Sequence, residues 1–103
     1  MENLSTNEWR ESFNKSDNSK IIDVRTPMEW ASGVIEGAIK MNFNQQSDFL
    51  TFIKSLDSSY NYYVYCKSGI RSWHACKMME HIGLNTFNLK NGVSSWDGPL
   101  THS

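Results

Sequence analysis

The stretch that decides the fold is residues 62–83, YYVYCKSGIRSWHACKMMEHIG. Its first four residues are aromatic or β-branched, which predicts a buried strand that ends at Cys66. After a short polar turn, apolar residues recur at steps of three and four along one helical face: Ala75, Met78, Met79 and Ile82. This spacing predicts a helix from about Ile70 to His81, with Gly83 as its C-terminal cap. A strand that turns within a few residues into a helix is typical of an α/β sheet.

The same alternation of short strands and helices extends through the rest of the chain. Apolar, β-branched or aromatic segments predict three more strands, over 21–24, 38–43 and 86–89. Start signals predict three more helices: Ser5 with Glu8, Thr26-Pro27 with Glu29, and Ser47-Asp48. A final helical turn is predicted over 94–96. This order predicts a single α/β domain, residues 1–103, with a mostly parallel sheet.

Composition and charge exclude several classes of protein. The chain has 103 residues, of which 39% are hydrophobic and 13% aromatic, and its formal net charge is −1. The near-zero charge argues against a nucleic-acid binder. The apolar runs are too short for a membrane span, and the first residues lack the pattern of a signal peptide. Two cysteines are too few for a disulfide framework, so we expect a cytoplasmic protein with reduced thiols, monomeric by default.

The residues suited to chemistry lie in the loop after the predicted strand, where Cys66 is followed by Lys67-Ser68-Gly69-Ile70-Arg71-Ser72. Ligands bind at the carboxyl edge of a parallel sheet. In a tight turn that contains glycine, amide groups point inward, and the following helix adds its positive dipole. Lys67 and Arg71 add two positive charges to a loop without an acidic residue. We therefore expect a lowered pKa for Cys66 and a cradle that stabilises a thiolate or persulfide anion.

Three separated motifs give the sequence a family resemblance. They are Ile22–Trp30 with Gly33–Ile39, the loop Tyr65–Ser72, and Asn91–Trp96. In this order they resemble the rhodanese-like sulfurtransferase family, across about residues 20–97. The chain departs from the family pattern at Val34-Ile35-Glu36, where His-Ile-Pro is frequent, and at Asn91-Gly92, where Gly-Gly is frequent. The resemblance implies a single-domain member with a five-stranded parallel sheet flanked by helices on both faces.

The resemblance also implies sulfur transfer through a persulfide on Cys66. The thiolate would attack the outer sulfur of a small anionic donor such as thiosulfate, and a thiol, a protein acceptor or cyanide would then remove that sulfur. Amide groups from Lys67 to Ser72 would hold the persulfide, while the Lys67 and Arg71 side chains would guide the donor. No metal or other cofactor is required, and neither nucleic acid nor a membrane is implied as a partner.

Two alternative functions stay open at this point. A cysteine-dependent phosphatase or arsenate reductase also uses a thiolate in an anion cradle, but its cysteine and arginine are separated by five residues, whereas four separate Cys66 from Arg71. A persulfide carrier or regulatory rhodanese-like module would instead act on a partner protein. Trp73 and His74 would then form a docking rim, although the simpler expectation is that Trp73 packs against its own domain.

Three charged residues near the first motif are interpreted as structural. Asp23 ends a predicted strand beside the loop, and we expect it to brace the loop by hydrogen bonding, with Arg25 beside it. Glu29 stands three residues after Thr26 and is expected to cap a helix rather than to act as a base.

The remaining cysteine and two of the histidines are also interpreted as structural. Cys76 lies about six residues along the predicted helix, which is too far for a disulfide with Cys66, so we expect it in the core. His74 and His81 are two helical turns apart, but no third ligand at a suitable spacing supports a zinc site.

Overall fold

The computed structural model describes residues 1–102, so Ser103 of the predicted domain lies outside the described residues. Strands and helices alternate along the chain. They are β1 (Glu2–Leu4), α1 (Thr6–Lys15), β2 (Ser19–Asp23), α2 (Pro27–Trp30), β3 (Ile39–Lys40), α3 (Gln46–Lys54), β4 (Asn61–Tyr65), α4 (Ile70–His81) and β5 (Asn85–Leu89). A short 3-10 turn, Val93–Ser95, follows β5. The predicted strand–loop–helix unit is therefore present as β4 and α4.

The strands form one five-stranded sheet in the order β1-β5-β4-β2-β3, and every pair in it is parallel. All strands therefore end at one edge, which is the edge where ligands bind in such sheets. Asp23 is the Cα partner of Tyr65 across β2 and β4. The predicted loop after β4 thus begins beside the predicted support residue at the end of β2.

The helices cover both faces of the sheet because side chains alternate along each strand. On one face, Tyr62, Val64 and Cys66 pack with residues of α3 and α4. On the other face, Tyr63 and Tyr65 pack with Trp9 of α1 and with neighbouring apolar side chains. Full coverage explains why β4 is a nearly continuous run of buried residues rather than an alternating one.

The two predicted capping boxes are both present. The Ser5 hydroxyl accepts a hydrogen bond from the amide of Glu8, whose carboxylate accepts one from the amide of Ser5. Thr26 and Glu29 form the same reciprocal pair at the start of α2, with Pro27 as its first residue. The prediction that Glu29 caps a helix is therefore confirmed.

Two elements differ from the sequence-based expectation. The fifth strand, β1, was not recognised, because Glu2 and Asn3 are polar and only Leu4 supplies an apolar side chain. It is an edge strand whose backbone pairs with β5, and such pairing needs no alternating pattern. The predicted strand over 38–43 is reduced to Ile39–Lys40, and beyond it the amides of Met41 and Phe43 donate to the carbonyls of Asp23 and Val24. Over residues 1–102, no helix is both long and apolar enough to cross a bilayer.

Candidate active site

Cys66 follows the last residue of β4 and lies at the carboxyl edge of the sheet. The residue is 1% exposed, and its side chain belongs to the core cluster beneath α3 and α4. The loop that follows returns over the sulfur within three residues, because α4 begins at Ile70 with Gly69 as its N-cap. The sulfur is thus buried, and what surrounds it decides its chemistry.

Hydrogen-bond donors converge on the sulfur of Cys66. The amide of Gly69 donates to Sγ at 3.1 Å, and the hydroxyl of Ser72 donates to it at 3.3 Å. Burial acts to raise the pKa of Cys66, but the Ser72 hydroxyl and the amides of Ser72, Gly69 and Ser68 outweigh it, so that the pKa is lowered. Hydrogen bonds to the ionised form favour that form, and the structure directs such donors at the sulfur of Cys66.

Gly69 gives the loop a shape that another residue would not allow. Its φ is +95°, and a Cβ at this position would overlap the carbonyl oxygen of Lys90. The Gly69 carbonyl accepts a hydrogen bond from Nδ2 of Asn88 at 3.1 Å, and the same nitrogen donates to Oδ1 of Asn3 at 2.9 Å. Strands β1 and β5 therefore hold the turn that directs the Gly69 amide at the sulfur.

The start of the loop is tied to the segment after β5. The amide of Val93 donates to the carbonyl of Cys66 at 2.9 Å. Ser94 donates twice to the carbonyl of Lys67, from its amide at 3.0 Å and from its hydroxyl at 2.8 Å. The C-terminal motif found in the sequence thus contacts the loop directly.

Arg71, which the sequence predicts to guide an anionic donor, is paired with a carboxylate in the structure. Its two terminal nitrogens donate to Oε1 and Oε2 of Glu29 at 2.7 and 2.8 Å, which is a bidentate ion pair. The Arg71 hydrogen bonds, helped by those from Thr26 and opposed by burial, lower the pKa of Glu29 to about 2. The loop itself contains no acidic residue, but the fold places Glu29 of α2 next to Arg71. The net positive charge around the loop is therefore smaller than the loop sequence alone indicates.

Asp23 braces Arg25 and contacts the loop through Tyr65. The Arg25 amide, Nε and one terminal nitrogen all donate to the Asp23 carboxylate, at 2.8 to 3.1 Å. The same guanidinium donates to the carbonyl of Gly33 at 2.7 Å. The hydroxyl of Tyr65, which accepts from the amide of Ile35 at 2.9 Å, also contacts Asp23. Asp23 thus contacts the loop Tyr65–Ser72 at its first residue, and its support of Cys66 acts through Tyr65.

The side chains beyond the loop face solvent. Ile70 is 66% exposed and Trp73 is 37% exposed. Together with Ser68, Gly69 and His74 they line a cleft of about 330 Å³. Trp73 contacts only its helical neighbours His74 and Lys77 among the ring contacts described for residues 1–102. Trp73 is therefore only partly packed against its own domain, with 37% of its surface open to solvent beside the loop.

Comparison with known proteins gives the family. The sequence profile described as "Rhodanese-like domain" matches residues 5–98, which is most of the chain. The chain belongs to the rhodanese-like domain family. "Putative sulfurtransferase YtwF" of Bacillus subtilis is 30% identical to it over 98 residues, 95% of this chain and 92% of YtwF. A protein of Allochromatium vinosum named "Sulfurtransferase" is 29% identical over 77 residues, 74% of this chain and 69% of that protein.

Solved structures agree with this rhodanese-like assignment. A protein from Staphylococcus saprophyticus superposes with a TM-score of 0.82 at 32% identity, covering 99% of this chain and all of that one. A rhodanese-like domain protein from Staphylococcus aureus superposes with a TM-score of 0.85 at 28% identity, covering 100% of this chain and 99% of that one. The five-stranded parallel sheet flanked by helices is thus confirmed as the rhodanese-like fold.

Cys76 of this rhodanese-like domain is a buried core residue, as expected. It is a free thiol with no exposed surface, packed in the same cluster as Cys66. Burial raises its pKa to about 12. Between residues 1 and 102, no group of three or more His, Cys, Asp and Glu side chains is arranged to hold a metal ion.

Sequence analysis missed two interactions that support the loop. One is the hydrogen bond from Asn88 to Gly69, and the other is the ion pair between Glu29 and Arg71. A signal existed for Asn88, because an amide side chain inside a predicted buried strand needs a polar partner. It is 1% exposed and sits among apolar neighbours. No comparable signal existed for the ion pair, since Glu29 and Arg71 are 42 residues apart and meet only in the fold.

Proposed function

We propose that this rhodanese-like domain is a sulfurtransferase that carries sulfane sulfur as a persulfide on Cys66, from an anionic donor to a thiol or cyanide acceptor. The observation that carries the proposal is the convergence of the Gly69 amide and the Ser72 hydroxyl on Sγ, with a lowered pKa for the thiol. Relatives named as sulfurtransferases support the same reaction class.

The reaction balances as two displacements at sulfur. With thiosulfate as donor, the Cys66 thiolate attacks the outer sulfur, the S–S bond breaks, and sulfite leaves with the bonding electron pair. An acceptor thiolate or cyanide then attacks the outer sulfur of the persulfide, and the Cys66 thiolate leaves. The first half-reaction leaves a persulfide anion and the second regenerates the thiolate; the cradle stabilises both anions, and the covalent intermediate predicts ping-pong kinetics.

The loop residues divide into three roles in this proposal. The amides of Ser68, Gly69 and Ser72 and the Ser72 hydroxyl hold the negative charge on sulfur. Lys67, exposed at the start of the loop, attracts the donor. Arg71 fixes the first turn of α4 to Glu29 of α2, and Ile70 contributes exposed apolar surface beside the loop.

The decisive experiment is mass spectrometry of the intact protein after treatment with thiosulfate. We expect a gain of one sulfur atom on Cys66 that cyanide removes. The Cys66→Ser variant should lose at least about a thousandfold of the transfer rate, because the nucleophile is gone. Cys76→Ala is the matched control and should load sulfur at the normal rate, since Cys76 lies outside the loop. Turnover retained in Cys66→Ser, or sulfur mapped to Cys76, contradicts the proposal.

A second candidate is a persulfide carrier that acts on a partner protein. The observation that favours it is the exposed apolar surface of Ile70 and Trp73 next to Ser68 and Gly69. Weak turnover with thiosulfate but rapid transfer from a persulfidated protein would identify the carrier.

A phosphatase or arsenate reductase is disfavoured by the same structure. Both terminal nitrogens of the loop arginine, Arg71, donate to Glu29, which leaves them engaged with a carboxylate of the protein. The assay that tests this is hydrolysis of a phosphate ester alongside sulfur transfer, and we expect only the latter.

A further inference from the structure

Most of the charged residues around the loop are neutralised in ion pairs. A cleft of about 270 Å³ lies beside the loop, on the side of α2, and its charged lining residues are Arg25, Glu29 and Lys67. Arg25 is paired with Asp23, and Glu29 is paired with Arg71. Among the described residues that line this cleft, Lys67 is the one cation outside an ion pair.

Glu29 is held in place by more than Arg71. Its Oε1 accepts hydrogen bonds from the amide of Thr26 at 3.2 Å and from the Thr26 hydroxyl at 3.0 Å, while it also accepts from Arg71. An acid fixed by three donors cannot swing aside when an anion approaches. Arg71 is in the first turn of α4, one residue before Ser72, whose hydroxyl donates to Sγ of Cys66, so the ion pair lies beside the reacting atom.

We propose that Glu29 determines the donor class of this site: by neutralising Arg71 it leaves Lys67 as the unpaired cation of the cleft beside α2 and thereby favours, for a donor that enters there, a monoanionic sulfane-sulfur compound over dianionic thiosulfate. This inference rests on the proposed sulfur transfer through Cys66. The donors it favours are thiosulfonates and the persulfides of uncharged thiols.

The charges of the reacting pair give the physical reason. When a thiolate meets thiosulfate, three negative charges share the site, and after transfer they remain on the persulfide and sulfite. When it meets methanethiosulfonate, the outer sulfur is transferred in the same way and methanesulfinate leaves, but only two negative charges are present. Each additional anion needs a compensating cation, because like charges in a partly dehydrated cleft repel strongly. A cleft with a single unpaired cation therefore discriminates by charge.

Comparison of these two donors provides the test, since a methyl group replaces one charged oxygen and the sulfur chemistry is unchanged. We measure kcat/KM for each donor at low ionic strength and take the ratio of methanethiosulfonate to thiosulfate. Glu29→Gln keeps a side-chain oxygen to cap α2 but leaves the charge of Arg71 unpaired. In this variant the ratio should fall about fivefold, because kcat/KM rises more for dianionic thiosulfate than for monoanionic methanethiosulfonate. At high salt the effect should disappear, because exposed charges are screened.

Two further variants test whether the charge beside the loop is the cause of the donor preference. Lys67→Gln removes the unpaired cation and should raise the ratio. Asp17→Asn removes one negative charge from the turn before β2, at the opposite edge of the sheet, and should leave the ratio unchanged. A ratio that is the same in wild type, Glu29→Gln and Lys67→Gln overturns the inference while leaving the sulfurtransferase proposal intact. If neither donor adds a sulfur atom to Cys66 of the wild type, the proposed function itself fails.

Discussion

The two cysteines of this domain are equally buried but differ in chemistry. Cys66 is 1% exposed and Cys76 is 0% exposed, and both pack in one core cluster. The pKa of Cys76 is raised to about 12, whereas the pKa of Cys66 is lowered. Burial pushes both values upward, so burial does not explain the difference. What distinguishes Cys66 is the set of donors directed at its sulfur.

The position of each cysteine relative to α4 accounts for those donors. The first amides of a helix have no carbonyl partner within it and are free to bind an anion, whereas interior amides are used in the helix. Cys66 lies just before Gly69, the N-cap of α4, and Cys76 lies inside the same helix. In this domain the pKa of a thiol is therefore lowered by its position at the start of a helix, and not by its degree of burial.

Among variants that keep both cysteines, the largest effect is expected from removing the loop shape, which should make Cys66 resemble Cys76. In Gly69→Ala the added Cβ meets the Lys90 carbonyl at a φ of +95°, so the loop must move and its amides leave the sulfur. Sulfur transfer should fall at least about a hundredfold, as when a donor of an oxyanion hole is lost. Initial rates of persulfide formation measure the change.

Gly83→Ala is the matched control for that variant. Gly83 has nearly the same backbone angle, φ +93°, but an added Cβ would meet nothing within 4 Å. We expect it to lose about 1 kcal/mol of unfolding free energy, measured by urea denaturation, with normal sulfur transfer. Equal losses of transfer in both variants would show that backbone strain, and not the aim of the loop amides, decides activity.

A smaller effect is expected from Ser72→Ala, which removes one donor and leaves the backbone alone. The hydroxyl hydrogen bond to a thiolate is charge-assisted, so its loss should raise the pKa of Cys66. At mildly acidic pH, transfer should slow about fivefold, and the deficit should close as the pH is raised. Thiolate absorbance against pH, in the Cys76→Ala background, tests the pKa directly.

Removal of a hydroxyl elsewhere provides the comparison for Ser72→Ala. Ser12 contacts the Tyr63 hydroxyl at 2.5 Å on the opposite face of the sheet, and Ser12→Ala should leave the pH profile unchanged. A uniform loss of rate at every pH in Ser72→Ala would mean that Ser72 supports packing and does not stabilise the thiolate.

The smallest expected effect is a change in the free energy of unfolding at alkaline pH. The ionisation of Cys76 lowers this free energy, whereas the ionisation of Cys66 raises it. The pKa of Cys76 rises from 9.0 to about 12 on folding, so the unfolded chain loses this proton first and the fold is destabilised as the pH rises above 9. The lowered pKa of Cys66 instead contributes stability that is present above pH 9 and lost as the pH falls through its folded value.

Urea denaturation at pH 8 and pH 10 separates the two contributions. Relative to wild type, Cys76→Ala should be about 1 kcal/mol less sensitive to this change of pH, because it has no thiol to ionise in the unfolded chain. A pH sensitivity equal to that of the wild type would show that Cys76 is not a source of alkaline destabilisation.

Local patterns in the sequence were sufficient to predict the central elements and the loop. The apolar periodicity that follows Cys66 placed α4 at Ile70–His81, and the capping boxes placed the starts of α1 and α2. These features succeed because each depends on residues within a few positions of one another. The approach of the loop amides to Cys66 follows from the same local geometry.

Contacts between distant parts of the chain could not be predicted in this way. The neutralisation of Arg71 requires Glu29 of α2, and the support of Gly69 requires Asn88 of β5, which in turn contacts Asn3 of β1. Edge strand β1 forms by backbone pairing, which leaves little pattern in three residues. The charge balance around the loop therefore differs from the one that the sequence predicts, whereas the donors expected around Cys66 are present.

A sulfur that is ionisable and yet 1% exposed also has a kinetic consequence. Susceptibility to peroxides rises with thiolate character and falls with burial, so the two features act in opposite directions at this sulfur. The rate at which a small neutral reagent alkylates Cys66, compared with the rate for a free thiol, therefore measures how far burial offsets the activation by the loop donors.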